Sequence, residues 1–269
     1  MSSGQAKVTV PSAPGFSVEA LGYGVDRVSI LKNLTMTVKP GAVTGLIGHN
    51  GSGKSTLVKL MARQLSPTAG KVLFEGQPVG SWSERAFARQ VAYLPQDMPG
   101  TLGLTVRELV GFGRYPWHGA LGRFGREDAA KVEAALEQCG LEALAGRQVD
   151  SLSGGERQRA WIAMTLAQDT RCLLLDEPIS ALDVAHQLEV LSLVRRLAHD
   201  RGMTVVLVLH DVNLAARFCD ELHALKGGEL VISGPPRHVM TPACLAEIYG
   251  VEMTVMEHPV LGTPVASAG

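Results

Sequence analysis

The chain has 269 residues, 46% of them hydrophobic and 19% charged, with a formal net charge of -1. That length supports one large core, or a core with a smaller appended lobe. The near-balance of charge leaves no global field drawing the molecule to nucleic acid or an acidic membrane face.

The first ten residues, MSSGQAKVTV, lack the apolar stretch of a secretory signal. The longest apolar run, Val205–Leu209, falls far short of the roughly 20 residues a spanning helix needs. The chain is therefore expected to be soluble and to reach any membrane through a partner. Cys139, Cys172, Cys219 and Cys244 form no C-x-x-C pair and read as buried thiols in a reducing cytosol. The eight histidines are scattered, with no H-E-x-x-H spacing.

In chain order, the stretch to Pro14 reads as a loose end. Residues 15–45 and 71–80 read as short strands forming a small antiparallel layer. Val43–Ile47 (VTGLI) is a buried strand broken by Gly48–Gly53, and Leu57, Leu60, Met61 and Leu65 mark one face of the next helix. Residues 98–152 contain no convincing strand and form an expected helical insertion. Within it, Thr105-Val-Arg-Glu108 has the pattern of a capping box, and Asp128–Cys139 reads as a helix closed by Gly140. Cys172–Leu175 and Thr204–Leu209 are strands of the fully buried kind. Val184, Leu188, Leu191 and Val194 place an amphipathic helix between them, ended near Gly202. The tail from about Pro259 reads as a second loose end. Strand, helix and strand in alternation predict an α/β fold with a mostly parallel sheet.

Gly48-His49-Asn50-Gly51-Ser52-Gly53-Lys54-Ser55, followed by Thr56, fits G-x-x-x-x-G-K-[ST] between a predicted strand and a predicted helix. Glycines let the backbone curl so that N–H groups face phosphate oxygens, and the helix N-terminus adds partial positive charge. Lys54 then reaches the β- and γ-phosphates, and the Ser55 hydroxyl is placed to ligate Mg²⁺. The plainer alternative is a glycine-rich turn before a helix. Asp176 and Glu177 end the strand Cys172–Leu175, where parallel sheets bind ligands. Asp176 is placed to hold the metal and Glu177 to polarise the attacking water, the alternative being a solvated turn.

Leu152-Ser-Gly-Gly-Glu-Arg-Gln-Arg159 resembles the LSGGQ-type signature of ABC ATPases. Tyr23, Gln96 in LPQD, Ser180-Ala-Leu-Asp183 and His210 follow in family order, so the resemblance spans about 15–250. It implies a P-loop, RecA-like core at 15–97 and 153–240 carrying the antiparallel layer, a helical subdomain at 98–152 and a C-terminal tail at 251–269. It implies a Mg²⁺-dependent ATPase working as a head-to-tail homodimer. Ser153, Gly154, Gly155 and Glu156 of one subunit would then meet the γ-phosphate held on the other's Gly48–Ser55 loop. By the same resemblance Tyr23 stacks on adenine, Gln96 touches Mg²⁺ where a membrane subunit docks, His210 steadies the attacking water, and Asp183 carries contacts across the dimer. Two positions depart from the pattern. Glu156 replaces the consensus glutamine, and Ile179 stands where many relatives have threonine, so a hydroxyl contact cannot be carried over.

Val106–Leu109, Gly113–Phe124, His210–Arg217 and Leu245–Val251 resemble the ATPases of bacterial iron–siderophore importers, particularly the ferric hydroxamate type. That resemblance implies a permease of the vitamin B12 importer type, a substrate-binding protein, and a place on the cytoplasmic face of the bacterial inner membrane. Haem or cobalamin import is the alternative cargo class. A non-transport ABC ATPase acting on nucleic acid or ribosomes, and a P-loop structural switch, are alternatives of other classes.

Overall fold

Alternate residues of each central strand serve different cores, and this division sets the architecture. A computed structural model describes residues 15–119 and 122–268. In chain order these form β1 (Phe16–Val25), β2 (Val28–Val38), β3 (Val43–Ile47), α1 (Lys54–Met61), β4 (Ala69–Phe74), β5 (Gln77–Pro78), α2 (Glu84–Ala88) and β6 (Val91–Leu94). Next come α3 (Val106–Gly111), α4 (Tyr115–His118), α5 (Arg126–Gln138), α6 (Gly154–Ala167), β7 (Cys172–Leu175), α7 (Val184–Arg201), β8 (Thr204–Val208) and α8 (Val212–Phe218). The chain continues with β9 (Glu221–Lys226), β10 (Glu229–Gly234), α9 (Pro236–Val239), α10 (Pro242–Tyr249), β11 (Met253–Glu257) and β12 (Pro264–Ala268).

The central sheet has the order β10-β9-β3-β8-β7-β6, parallel from β9 to β6, with β10 antiparallel at one edge. Leu173, Leu175, Val205 and Leu207 point to a core shared with α3, α5, α6 and α7. Cys172, Leu174, Val206 and Val208 point to a second core, closed by α1 and the antiparallel sheet β2-β1-β4-β5. Both faces are covered, which is why β3, β7 and β8 are buried at every position. This is the expected P-loop, RecA-like arrangement with its antiparallel layer and helical subdomain.

Helix boundaries follow local chemistry. The Thr105 side chain accepts from the Glu108 amide while Glu108 reaches back to the Thr105 amide at 2.8 Å, completing the capping box that opens α3. Gly202 takes the left-handed conformation that ends α7. Two boundaries differ from the expectation. The helix after the phosphate loop stops at Met61, so Leu65 packs from the following turn. The helix expected at Asp128 opens two residues earlier, because Asp128 serves as its third residue and accepts from the Gly125 amide at 2.9 Å.

Asp128 also receives the buried Arg114 guanidinium at 2.9 Å, and Arg114 donates in addition to the Ala167 carbonyl. Trp117 lies over Arg114 and donates its indole N–H to the Gln168 carbonyl, so this aromatic packs the helical lobe onto α6. Cys139, Cys172 and Cys219 are buried, whereas Cys244 is half-buried.

The tail is ordered rather than loose. β11 and β12 pair antiparallel from Met253↔Ala268 to Glu257↔Pro264, and Ala266 is buried against the first core. The expectation fails because the apolar residues of this stretch, Val265 and Ala266, gain a partner only in three dimensions. The expectation for residues 1–14, and the matched positions Ala120 and Leu121, lie outside the described residues. No helix among the described residues is long and apolar enough to cross a membrane.

Candidate active site

β3 delivers the chain to the carboxyl edge of the sheet, where Gly48–Gly53 must turn into α1 within six residues. Gly48 has φ 134°, and a Cβ there would lie 2.1 Å from the Leu225 carbonyl oxygen, so only glycine fits. The loop is tied down from behind by the Gly228 amide, which donates to the Ser52 carbonyl. Lys54 folds over the loop and donates to the Gly48 and His49 carbonyls, each at 2.8 Å. Burial lowers its pKa, and the Glu177 and Asp176 carboxylates oppose that shift.

β7 ends at Leu175, and the Asp176 amide bonds to the Leu94 carbonyl of the neighbouring β6. Asp176 is 1% exposed and accepts the Ser55 hydroxyl at 2.8 Å. Burial raises its pKa, with the Ser55 bond acting against the rise and Glu177 adding to it. Tyr93 on β6 lies beside it, its phenol pushed up to about 12 by burial and by the Asp176 charge. Glu177 adopts φ 51°, a left-handed conformation rarely populated by residues other than glycine. That turn aims its carboxylate back over the sheet edge. One oxygen accepts from Gln96 Nε2 at 2.8 Å, and the other lies 2.6 Å from His210 Nε2. Gln96 follows β6 and His210 follows β8, so three separate strand ends supply the cluster.

A cavity of about 590 Å³ brings together Asn50, Gly51, Gly53, Lys54, Ser55, Thr56, Gln96, Glu177 and His210. Ile30 also lines it, an apolar residue of β2 that carries no signal in the sequence. Ser52 is buried within the loop, and His49 is exposed and packs edge-on against Tyr249. Asp176 lies beneath the cavity. Its carboxylate, the Ser55 hydroxyl and the Gln96 carboxamide form an all-oxygen donor set suited to a hard divalent cation, so these residues fit Mg²⁺.

Other expected residues do not line this cavity. Tyr23 is half-buried on β1 opposite Leu31, packed against the antiparallel layer. Ser153 caps α6 in a second capping box with Glu156, and hydrogen bonds from the Ser153 amide and hydroxyl hold the Glu156 carboxyl below its ordinary pKa. Gly155 lies hard against His186, where a Cβ would come within 2.3 Å of the ring. His186 is in turn fixed by Asp183, the N-cap of α7, through both its amide and its Nδ1. The signature turn and the Asp183 turn thus form one assembly joined by His186. Sequence reasoning does not single out this histidine; its place three residues after an N-cap is the one available sign.

A glycine loop feeding a helix at the carboxyl edge of a parallel sheet, faced by acidic, amide and imidazole groups, defines a P-loop nucleoside triphosphatase. Residues 31–180 match the family model described as ABC transporter. The chain is 43% identical over 248 residues to the probable siderophore transport system ATP-binding protein YusV of Bacillus subtilis, covering 92% of this chain and 90% of that one. It is 41% identical to the ferric enterobactin transport ATP-binding protein FepC of Escherichia coli, covering 91% and 89%. It is 43% identical to the hemin import ATP-binding protein HmuV of Bordetella pertussis, covering 86% and 90%.

An inward-facing metal-chelate type ABC transporter superposes with a TM-score of 0.84 at 27% identity, over 96% of this chain and 98% of that one. A dimeric bacterial ABC transporter cassette superposes with a TM-score of 0.72 at 27% identity, over 82% and 98%. The chain belongs to the ABC transporter ATP-binding family. It is an ATP-binding, ATP-hydrolysing cassette of the translocase class.

Proposed function

We propose that this cassette is the ATPase of a bacterial importer for ferric siderophores, of the hydroxamate class, working as a homodimer beneath a separate permease on the cytoplasmic face of the cell membrane. The carrying observation is identity of 41–45% across about nine-tenths of each chain to ATPases named for siderophore, achromobactin, hydroxamate, petrobactin and enterobactin transport. Haem import is the second reading, favoured by the 43% identity to the hemin import protein.

At the site, Lys54 and the loop amides hold the β- and γ-phosphates. Glu177 orients and polarises the attacking water, and His210 and Gln96 fix the Glu177 carboxylate from either side. Ser55, Asp176 and Gln96 would hold Mg²⁺, which when bound neutralises charge on the phosphate oxygens. The Ser153-Gly154-Gly155 helix start lies outside the cavity lined by Lys54, Glu177 and His210, which supports a role against the nucleotide of a second copy. Tyr23 provides the aromatic face for adenine, and Asp183 meets the partner subunit.

Uptake of radiolabelled ferric hydroxamate by a deletion strain tests the cargo. Loss restored by the intact gene supports the reading, normal uptake overturns it, and retained siderophore uptake with lost haem uptake selects the second.

A further inference from the structure

The C-terminal segment reaches the phosphate loop through Tyr249 and the helix that follows His210 through Ala266, neither contact being one the phosphate-binding chemistry requires. Tyr249, the last residue of α10, sets its ring edge-on against His49 of the phosphate loop, with centroids 5.4 Å apart and planes at 71°. Its hydroxyl is buried without a hydrogen-bond partner. Asp211 adjoins His210 and caps α8, accepting from the Asn213 and Leu214 amides. The C-terminal segment grips the same helix: the Asn213 carboxamide donates to the Ala266 carbonyl at 3.0 Å and accepts from the Ala266 amide at 2.7 Å. Ala266 belongs to β12, which pairs with β11 directly after α10. Lys226, at the end of β9, ties α10 to the sheet through the Glu247 carbonyl.

A closed circuit results, running from the phosphate loop to Tyr249, through the β11–β12 hairpin to Asn213, and so back to His210. We propose that Tyr249 is a positioning residue of the ATPase site, packed against the phosphate loop through His49 and linked to the His210 turn by the hairpin that Asn213 clamps. It is not itself a ligand of the phosphates and acts through the His210 turn, with the His49 contact as its anchor. Because reacting groups must be placed to within about 1 Å, with errors of that size costing up to about 100-fold, slack in this link falls on turnover more than on nucleotide binding.

The inference rests on the assignment of the loop and His210 to the ATP site, so the test includes both. ATP hydrolysis is measured on the full-length chain carrying Tyr249→Ala, Tyr249→Phe, Asn213→Ala, His210→Ala, and Tyr249→Ala combined with His210→Ala. The expected result is a fall in kcat of about tenfold for Tyr249→Ala and Asn213→Ala, with KM for ATP moving less than about twofold. Tyr249→Phe, which keeps the ring against His49, recovers kcat to within about threefold of the parent. In the His210→Ala background, Tyr249→Ala adds less than about twofold, because the residue acts through His210.

Parental kcat in Tyr249→Ala, a parallel change in kcat and KM, or a full additional loss in the His210→Ala background overturns the proposal. Should Tyr249→Ala not fold, Asn213→Ala decides by the same criteria, alone and in the His210→Ala background. Parental hydrolysis in His210→Ala overturns the site assignment instead, a result distinct from a failure of the Tyr249 link.

Discussion

His210 Nε2 and Glu177 Oε1 meet at 2.6 Å although 33 residues separate them in the chain, and the contact fixes the carboxylate that faces the phosphate loop. Glu177 is 11% exposed at its side chain and held at a left-handed φ, so its direction is set by the fold and not by solvent. On the function proposed above, turnover is expected to depend on the Glu177 carboxylate.

Glu177→Gln preserves size and one acceptor oxygen for Gln96 but removes the negative charge. We expect ATP binding to persist and kcat to fall by about 100-fold or more, the scale of a lost general base. Size-exclusion chromatography with ATP should then show an accumulated dimer. Turnover at the parental rate would remove Glu177 from its assigned role.

Lys54→Ala should act on binding. The ammonium donates to the loop carbonyls, and its loss removes a positive charge that faces Glu177 and Asp176 at the phosphate loop. Affinity for a fluorescent ATP analogue should fall at least about tenfold, the effect of removing a charged hydrogen bond. Unchanged affinity, measured by anisotropy, would contradict the loop geometry.

Gly155→Ala should spare nucleotide binding by the single chain and impair hydrolysis, because the added methyl meets the His186 ring and must displace the signature turn or the Asp183 turn. Shortening the obstacle in Gly155→Ala/His186→Ala should restore part of the lost rate. A double variant no better than the single would show that the two turns are not coupled through this contact.

Arg114→Ala leaves Asp128 charged and buried with its ion-pair partner gone, and empties a fully buried volume against Trp117. Loss of one member of a buried pair costs about 3–5 kcal/mol, to be read from chemical denaturation. The Gly125 amide, then Arg114, hold the Asp128 carboxyl below its ordinary pKa against the opposing effect of burial. A depressed folded-state pKa contributes stability that is present above the unfolded value, about 3.9, and is lost as pH falls through the folded value. Asp128→Asn should therefore flatten the acid limb of the stability profile, and an unaltered slope below about pH 4 would exclude this group as a source.

Features encoded within a few neighbouring residues are legible in the sequence alone. The phosphate loop is eight consecutive residues whose glycines answer a local backbone demand. Thr105–Glu108 writes out its capping box, and Ser153, itself legible as an N-cap, has Glu156 three residues on to complete another; the apolar runs of β3, β7 and β8 announce strands covered on both faces. Gln96 and His210 are joined to Glu177 only through family resemblance, because no spacing along the chain brings them together. Their meeting depends on the order β8-β7-β6 and on the parallel register of those strands. Strand order follows from which long-range pairings repay their loop-closure entropy and bury both faces, a balance struck over the whole domain. The stretch from about Pro259, which forms the second half of the 253–268 hairpin, reads as a loose end for the same reason. Most of its apolar side chains stay exposed, and Ala266 becomes core only where Asn213 and α8 supply the surface on which to fold.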